Sequence, residues 1–454
     1  MELTFSDFIG SHRGKRVAVC GVGVSNLPLI KLLRREGIAV EARDRKPAGE
    51  IDPDGTLEAM GCKVIAGDGY LDGLDADIIY RSPGMRPDLE QLETARKNGS
   101  KITSEMEVFF EVCPCRIIGI TGSDGKTTTS SIIAEMLKAD GKRAWLGGNI
   151  GTPLLDKAPQ MKRGDFAVVE LSSFQLMTMK KPPDIAVVTN VTPNHLDMHS
   201  SMEEYVAAKR NILGDGRDIR AVLNFDNGIT REFGENRTGT VYFSSSAKLE
   251  DGFCLEDGYI CRVHGREMDK IIAIDEIKIP GMHNVENYMA AVAALWGHVD
   301  TASMAKAART FAGVEHRIEF VRELDGVSYY NNSIGTSPTR TVAALKSFGR
   351  EVILIAGGYD KHIPFEPLAE ELAGRVKLMI LCGATAKLIR SAAEKSGFTA
   401  MTDAATFEEA VRLARENAES GDIVLLSPAC AAFDMFKNFA ERGDRFKELV
   451  REIK

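Results

Sequence analysis

The chain has 454 residues, of which 44% are hydrophobic and 27% charged, and its formal net charge is −8. At ~100–200 residues per domain that length predicts two to four globular domains, and no apolar run approaches the ~18–20 residues of a membrane span. The acidic total, without any run rich in Lys and Arg, excludes an overall nucleic-acid binder but leaves room for local basic sites that take anionic substrates.

In chain order, the first block covers residues 1–104. Arg16–Cys20 reads as a buried strand, Gly21-Val22-Gly23 as a turn, and Leu27–Glu36 as a helix stopped by Gly37. A strand follows from Ile38 to Ala42, and another, Ala76–Tyr80, runs into Arg81-Ser82-Pro83-Gly84. This succession of apolar run, small-residue turn and helical period is the pattern of βαβ units on a parallel sheet. Gly21-x-Gly23-x-x-Asn26, with Asp44 about twenty residues on, approaches a dinucleotide fingerprint but lacks its third glycine.

The second block spans 105–313. It opens near Cys113-x-Cys115, two of eight cysteines, with no second pair at zinc-site spacing. A chain of this length that opens without an apolar signal segment is expected to keep its thiols reduced in the cytoplasm. Strands are predicted at Arg116–Ile120, Phe166–Leu171 and Ile185–Asn190, and the shorter patterning of 217–280 predicts that this stretch includes antiparallel strands. The third block, 314–454, alternates helices with strands at Val327–Tyr330, Val352–Ala356, Leu378–Leu381 and Ile423–Leu426. The class is α/β, and in such sheets ligands sit beyond the carboxyl ends of the strands.

The strongest chemical signal follows the strand at 116–120. In Thr121-Gly122-Ser123-Asp124-Gly125-Lys126-Thr127-Thr128 the glycines let backbone N–H groups close around phosphate oxygens, and a helix N-terminus adds favourable partial charge. Lys126 can reach terminal phosphates and Thr127 can ligate Mg²⁺. The spacing is the shorter G-x-x-G-K-T, with Ile120 where a first glycine would fall. Glu170 is embedded in the apolar run Val168–Leu171, where an unpaired carboxylate is costly. Its countercharge is either a second Mg²⁺ or a lysine. His195-x-Asp197-x-His199 is compatible with a transition metal, but beside a phosphate loop the reading favours His195 alone, ligating Mg²⁺ or orienting its waters.

Ser201-x-x-Glu204 has capping-box spacing. On the helix it starts, Lys209 falls on the apolar stripe of Met202, Tyr205, Val206, Ile212 and Leu213. Two readings stay open: a snorkelling side chain, or a desolvated amine of lowered pKa open to covalent modification.

Taken together, these segments resemble the Mur ligase family, over essentially the whole chain. The matching stretches are Thr121–Thr127, 147–151, Glu170–Gln175, Asn190–Asp197, Ala207-Ala208-Lys209, His283–Asn287 and Glu315-His316-Arg317. The resemblance implies three domains: a Rossmann-like N-terminal domain (1–104) for a UDP substrate, a central P-loop ATPase domain (105–313), and a Rossmann-like C-terminal domain (314–454). The third brings the incoming amino acid and closes on ATP. It also implies a cytoplasmic, monomeric ligase of peptidoglycan precursor synthesis with ATP as co-substrate, two Mg²⁺, and a carbamylated Lys209.

Within the family, 427–439 and Gly357–Lys361 resemble the branch that adds D-glutamate to UDP-N-acetylmuramoyl-L-alanine. By that resemblance Gly122, Ser123, Asp124, Gly125, Lys126, Thr127, Thr128, Asn284, Asn287, Arg317 and Asn332 bind ATP. Gly23, Val24, Ser25, Asn26, Asp44, Arg45, Ser82, Gly84 and Asn149 hold the UDP substrate, and Thr336, Lys361 and Phe439 the D-glutamate. Thr127, Glu170, His195 and Lys209 serve the metals. Three positions depart from the family pattern: Ala432 stands in place of serine, Ile334 in place of lysine, and Asn332 in place of aspartate. The rival readings are a sister ligase taking another amino acid, a P-loop kinase or NTPase, and an NAD-dependent oxidoreductase centred on the first block.

Overall fold

The computed structural model describes residues 3–149, 152–192, 199–214 and 219–453. These divide into two compact units, Met1–Ile272 with Glu286–Ala307, and Ala273–Val285 with Ala308–Lys454.

The first unit holds two sheets. One is built from β1 (Val17–Cys20), β2 (Val40–Asp44), β3 (Lys63–Ala66), β4 (Ile78–Arg81) and β5 (Lys101–Thr103), in the order β3-β2-β1-β4-β5. All its pairings are parallel. β1 is buried at every position, as a strand covered on both faces must be. The order reverses between β1 and β4, and that switch point opens a crevice at their carboxyl ends.

The second sheet contains β6 (Arg116–Thr121), β7 (Ala144–Gly148), β8 (Phe166–Glu170), β9 (Ile185–Val188), β10 (Arg220–Asn224), β11 (Thr240–Ser244), β12 (Asp251–Glu256), β13 (Tyr259–His264) and β14 (Glu267–Ala273). Its order is β14-β13-β12-β11-β10-β9-β6-β8-β7. β6 lies between β8 and β9, in parallel with both. The carboxyl ends of these three strands therefore share one edge. A single apolar core joins Phe8 and Ile9 to Phe109, Phe110, Leu171 and Leu223, so both sheets pack on it.

The second unit is a six-stranded sheet ordered β15-β16-β20-β17-β18-β19, from β15 (Glu319–Leu324), β16 (Val327–Asn331), β17 (Val352–Ala356), β18 (Val376–Leu381), β19 (Met401–Asp403) and β20 (Ile423–Leu426). Only β15 and β16 pair antiparallel. Alternate residues of β17 face opposite cores: Val352, Leu354 and Ala356 on one side, Ile353 and Ile355 on the other. That is the two-residue period of a strand. No described helix is long and apolar enough to cross a membrane.

The sequence expectations need correction in places. Within 217–280, β12 and β13 are antiparallel as expected, and β10 and β11 extend the parallel run from β9, which the pattern did not show. The strand expected to end at Asn190 ends at Val188. β3, β5, β7, β15 and β19 were not anticipated. Most carry polar or half-exposed residues and lack the apolar run by which a buried strand is read.

Candidate active site

The loop after β6 is the centre of the first unit's site. Gly125 has φ +81, a left-handed conformation that favours glycine, and a Cβ there would collide with Asn287 Oδ1. The helix Lys126–Ala139 starts at once, so its first N–H groups face the space inside the loop. Loop shape is fixed by cross-sheet bonds from the end of β9. Thr189 Oγ1 donates to the Asp124 carbonyl at 2.6 Å, and Asp124 N–H donates to Asn190 Oδ1 at 2.9 Å. Ser123 Oγ lies 2.9 Å from the Tyr205 hydroxyl and donates to the Thr192 carbonyl at 2.9 Å. Lys126 Nζ donates to the carbonyls of Gly122 and Ser123, each at 3.0 Å.

Glu170 ends β8 and is 1% exposed. Thr127 Oγ1 donates to one of its carboxylate oxygens at 2.8 Å, and Asn149 Nδ2 to the other at 2.8 Å. A second bond, Asn149 N–H to the Glu170 carbonyl at 2.8 Å, fixes the asparagine. Both side-chain partners are neutral, so the carboxylate is oriented without being neutralised. The lysine partner left open in the sequence is not what orients it. Asn149, expected on the UDP side, bonds the Glu170 carboxylate.

Lys209 is 2% exposed. Its amine donates to the Gly122 carbonyl at 2.7 Å and more weakly to Thr121 Oγ1 at 3.5 Å, and lies 4.7 Å from the centre of the Tyr205 ring. Burial pushes it down to about 7; the Lys126 ammonium adds to that, while Asp124 and Glu170 oppose it. The snorkelling reading is thereby set aside. The helix Met202–Arg210 is capped by Ser201, which accepts from Glu204 N–H. The reciprocal half of the expected capping box is replaced: Glu204 turns to Arg86 at 2.9 Å and accepts from Ser200 N–H, and the Arg86 guanidinium holds it down at about 2.

His195 lies outside the described residues, as do Ile150 and Gly151. His199 is described. Its Nε2 is 2.9 Å from Ser173 Oγ, its ring stacks on Phe174 with centroids 4.9 Å apart, and burial lowers its pKa. Asn287 accepts from Thr129 Oγ1 at 3.1 Å, and Thr128 is half-buried on the loop helix.

At the switch point of the first sheet, Gly21 abuts Ser82, whose Cβ would stand 2.6 Å from a Cβ at position 21. Asn26 Nδ2 donates to the Gly21 carbonyl at 2.9 Å, and Asp44 accepts from Val22 N–H at 2.6 Å. Gly23, Val24 and Ser25 form the turn before the helix Asn26–Arg35, with Val24 strongly exposed. Arg45 is exposed and Gly84 follows β4. Gly23–Asn26, Asp44, Arg45, Ser82 and Gly84 thus lie at or just beyond the carboxyl ends of the neighbouring strands β1, β2 and β4. A separate cavity of about 1380 Å³ in this unit is lined by Arg81, Arg96, Lys180, Arg210 and Arg237 and includes none of the phosphate-loop residues.

In the second unit, Lys361 Nζ donates to Thr336 Oγ1 at 3.1 Å and to its carbonyl at 3.2 Å. Phe439 begins the helix Phe439–Glu452, is 37% exposed, and accepts through its carbonyl from Ser333 Oγ at 2.7 Å. Asn332 is buried: its Nδ2 donates to Ser427 Oγ at 2.9 Å and its Oδ1 accepts from Ile318 N–H at 3.3 Å. Arg317 is exposed, and Asn284 donates to the Pro280 carbonyl at 2.6 Å.

Arg442 was missed. It is fully buried and donates to Ser333 Oγ, the Ser333 carbonyl, and the carbonyls of Ala431 and Cys430, at 3.0–3.1 Å. Burial pushes it down to about 10. It ties the Ser333 turn to the loop carrying Ala432. On an amphipathic helix it reads as a surface residue; only Gly443 beside it, which leaves room for His316, hints at close packing.

Comparison with known proteins places this geometry. Residues 120–295 match the family described as Mur ligase middle domain, and 316–430 match Mur ligase, glutamate ligase domain. A UDP-N-acetylmuramoylalanine–D-glutamate ligase of Acetivibrio thermocellus is 51% identical over 466 residues, with both chains fully covered. One from Clostridium perfringens is 49% identical over 464 residues, again covering both chains in full. Among solved structures, UDP-N-acetylmuramate-alanine ligase from Thermotoga maritima shares the fold with a TM-score of 0.59 at 18% identity, covering 97% of this chain and 100% of that one.

Proposed function

The chain belongs to the Mur ligase family, and on that premise we propose that it is a cytoplasmic enzyme joining D-glutamate to UDP-N-acetylmuramoyl-L-alanine, with ATP converted to ADP and phosphate. The full-length match to D-glutamate ligases carries this reading.

A carboxylate is a poor electrophile. Phosphoryl transfer from ATP to the alanyl carboxylate gives an acyl phosphate, which the amine of D-glutamate attacks; the tetrahedral intermediate then collapses to amide and phosphate. The loop N–H groups and Lys126 hold the phosphates and meet the charge that develops on them, which is where most of the catalysis of such a transfer lies. Thr127 and Glu170 stand together at the loop mouth. A hydroxyl and a carboxylate make the hard-oxygen set that Mg²⁺ takes, so the residues present fit the ion. When bound, Mg²⁺ supplies neutralisation of phosphate charge.

Lys209 is proposed to carry a carbamate. Its neutral amine adds to CO₂, forming the N–C bond and releasing one proton, and so replaces a cation by an oxygen-donor anion suited to a second Mg²⁺. The buried amine at about 7 supports this. His195 keeps its proposed role at that ion, although it lies outside the described residues.

The gathering of Gly21–Asn26, Asp44 and Ser82 at the β1/β4 switch supports a UDP site there, and the Lys361–Thr336 pair supports a D-glutamate site. The three sheets support the division into 1–104, 105–313 and 314–454. Phosphate release from ATP across a panel of amino acids, with UDP-N-acetylmuramoyl-L-alanine as acceptor, tests the whole. D-Glutamate should support turnover. Faster turnover with L-alanine, L-lysine or meso-diaminopimelate would overturn the assignment.

A further inference from the structure

Three sulfur atoms that the ligase chemistry does not use meet at the foot of β6. Cys113 closes the helix Glu105–Val112, Cys115 immediately precedes β6, and Met161 closes the short 3-10 helix Leu155–Gln160. Cys113 Sγ and Cys115 Sγ are 3.5 Å apart, and each is 3.9 Å from Met161 Sδ. Cys115 and Met161 are buried and Cys113 is half-buried, so the triangle is built into the core with one vertex reachable from solvent.

From this triangle we infer a binding site for one soft monovalent metal ion, Cu(I), held by the thiolates of Cys113 and Cys115 and the thioether of Met161. A metal–sulfur bond of about 2.3 Å at the centre of three sulfurs requires them to stand about 4.0 Å apart, close to the separations found. The donor chemistry selects the ion: thiolate and thioether together are soft ligands that favour Cu(I), whereas structural zinc takes Cys and His. Among the described residues the only group of three or more His, Cys, Asp and Glu close enough to share an ion is Glu315, His316 and Asp444, so no such residue adds a fourth ligand to these sulfurs. Binding releases two thiol protons to solvent and changes no oxidation state.

The site would link three elements that are otherwise only packed together: the end of one helix, the segment after 155–160, and the strand that carries the phosphate loop at its other end. Occupancy should therefore raise the melting temperature, as any ligand selective for the folded state does.

The test is an anaerobic titration of the reduced full-length chain with Cu(I) against bicinchoninate as a competing chromophore, with X-ray absorption of the one-equivalent complex. One equivalent should be taken from the chelator, with three sulfurs around copper. Cys113→Ser and Cys115→Ser should abolish this, while Cys254→Ser should leave it unchanged. Met161→Leu keeps the side-chain volume and so the fold. It should weaken binding by at least about tenfold, the loss that even outer-shell changes bring, and leave two sulfurs. If the serine variants fail to fold, the Met161→Leu comparison decides alone. No binding in competition, binding that survives Cys113→Ser, an unchanged affinity in Met161→Leu, or a shell containing nitrogen or oxygen would overturn the inference.

Discussion

Lys209 and Gly122 are joined by a 2.7 Å hydrogen bond from a buried amine to a carbonyl of the phosphate loop. With its pKa held at about 7 rather than 10.5, the amine is about half neutral near pH 7. It should therefore take up ¹³CO₂ to give a carbamate resonance in NMR that Lys209→Arg lacks. The sign follows from the amine being the reactive form: falling pH protonates it, so signal and activity should decline together below pH 7. Lys209→Arg should lose at least about 10²-fold in kcat. An active Arg variant without the resonance would remove the carbamate from the mechanism.

Lys126→Ala should lower kcat by about 10²–10³-fold, the scale of losing one preorganised charge-stabilising donor. Its amine bonds the Gly122 and Ser123 carbonyls of its own loop, and the melting temperature of the variant separates any loss of stability from the loss of turnover. Near-normal turnover would remove Lys126 from phosphoryl transfer.

Gly125→Ala combines left-handed strain with a collision at Asn287 Oδ1. Thermal shift with ATP and Mg²⁺ reads the outcome: the parent should gain stability on ligand addition, and the variant should gain much less. Equal shifts would show that the loop re-forms around an added methyl.

Arg442→Met removes four hydrogen bonds at once and leaves the buried carbonyls of Ser333 and Cys430 without that donor, at about 1–3 kcal/mol for each group left unpaired, while the Ala431 carbonyl keeps the Tyr359 N–H. If the loop bearing Ala432 lines the D-glutamate site, KM for D-glutamate should rise more than KM for ATP in variants that still fold, with Arg442→Lys as the milder case. Equal changes in both constants would assign Arg442 to stability alone.

Glu105 is 5% exposed, and burial pushes its carboxyl up to about 7, against bonding from the Leu155 N–H. A raised acid pKa means the folded state holds the proton where the unfolded state, near 4.5, has released it. Stability should therefore fall as pH rises from about 4.5 to 7, by up to about 3 kcal/mol. Glu105→Gln should flatten that part of the profile and be the more stable protein at pH 8. Denaturant unfolding at pH 5 and 8 measures this; parallel profiles would contradict it.

Much of the active site was legible because its residues break local rules. Glu170 is a carboxylate inside an apolar strand, Lys209 an amine on an apolar stripe, and Gly125 a glycine where a helix begins. What the local pattern hid depends on register. Asn149 reaches Glu170 only because β7 and β8 pair Gly148 with Glu170. Arg442 looks like one more charge on an amphipathic helix until the Ser333 turn closes over it. The parallel placement of β10 and β11 was hidden for the same reason: strand direction is a property of the connection, not of the strand.

The Gly122 carbonyl receives two amines, from Lys126 at 3.0 Å and from Lys209 at 2.7 Å. The loop thus satisfies its own lysine. A nucleotide that recruits Lys126 exchanges one partner for another, so the free energy gained on entry is a difference between two hydrogen-bonded states rather than a full new contact. The spent nucleotide faces the same exchange in reverse, with the loop carbonyls competing for the amine as it leaves. If Lys126 holds nucleotide as proposed, such an arrangement favours exchange of ADP for ATP over tight retention of either.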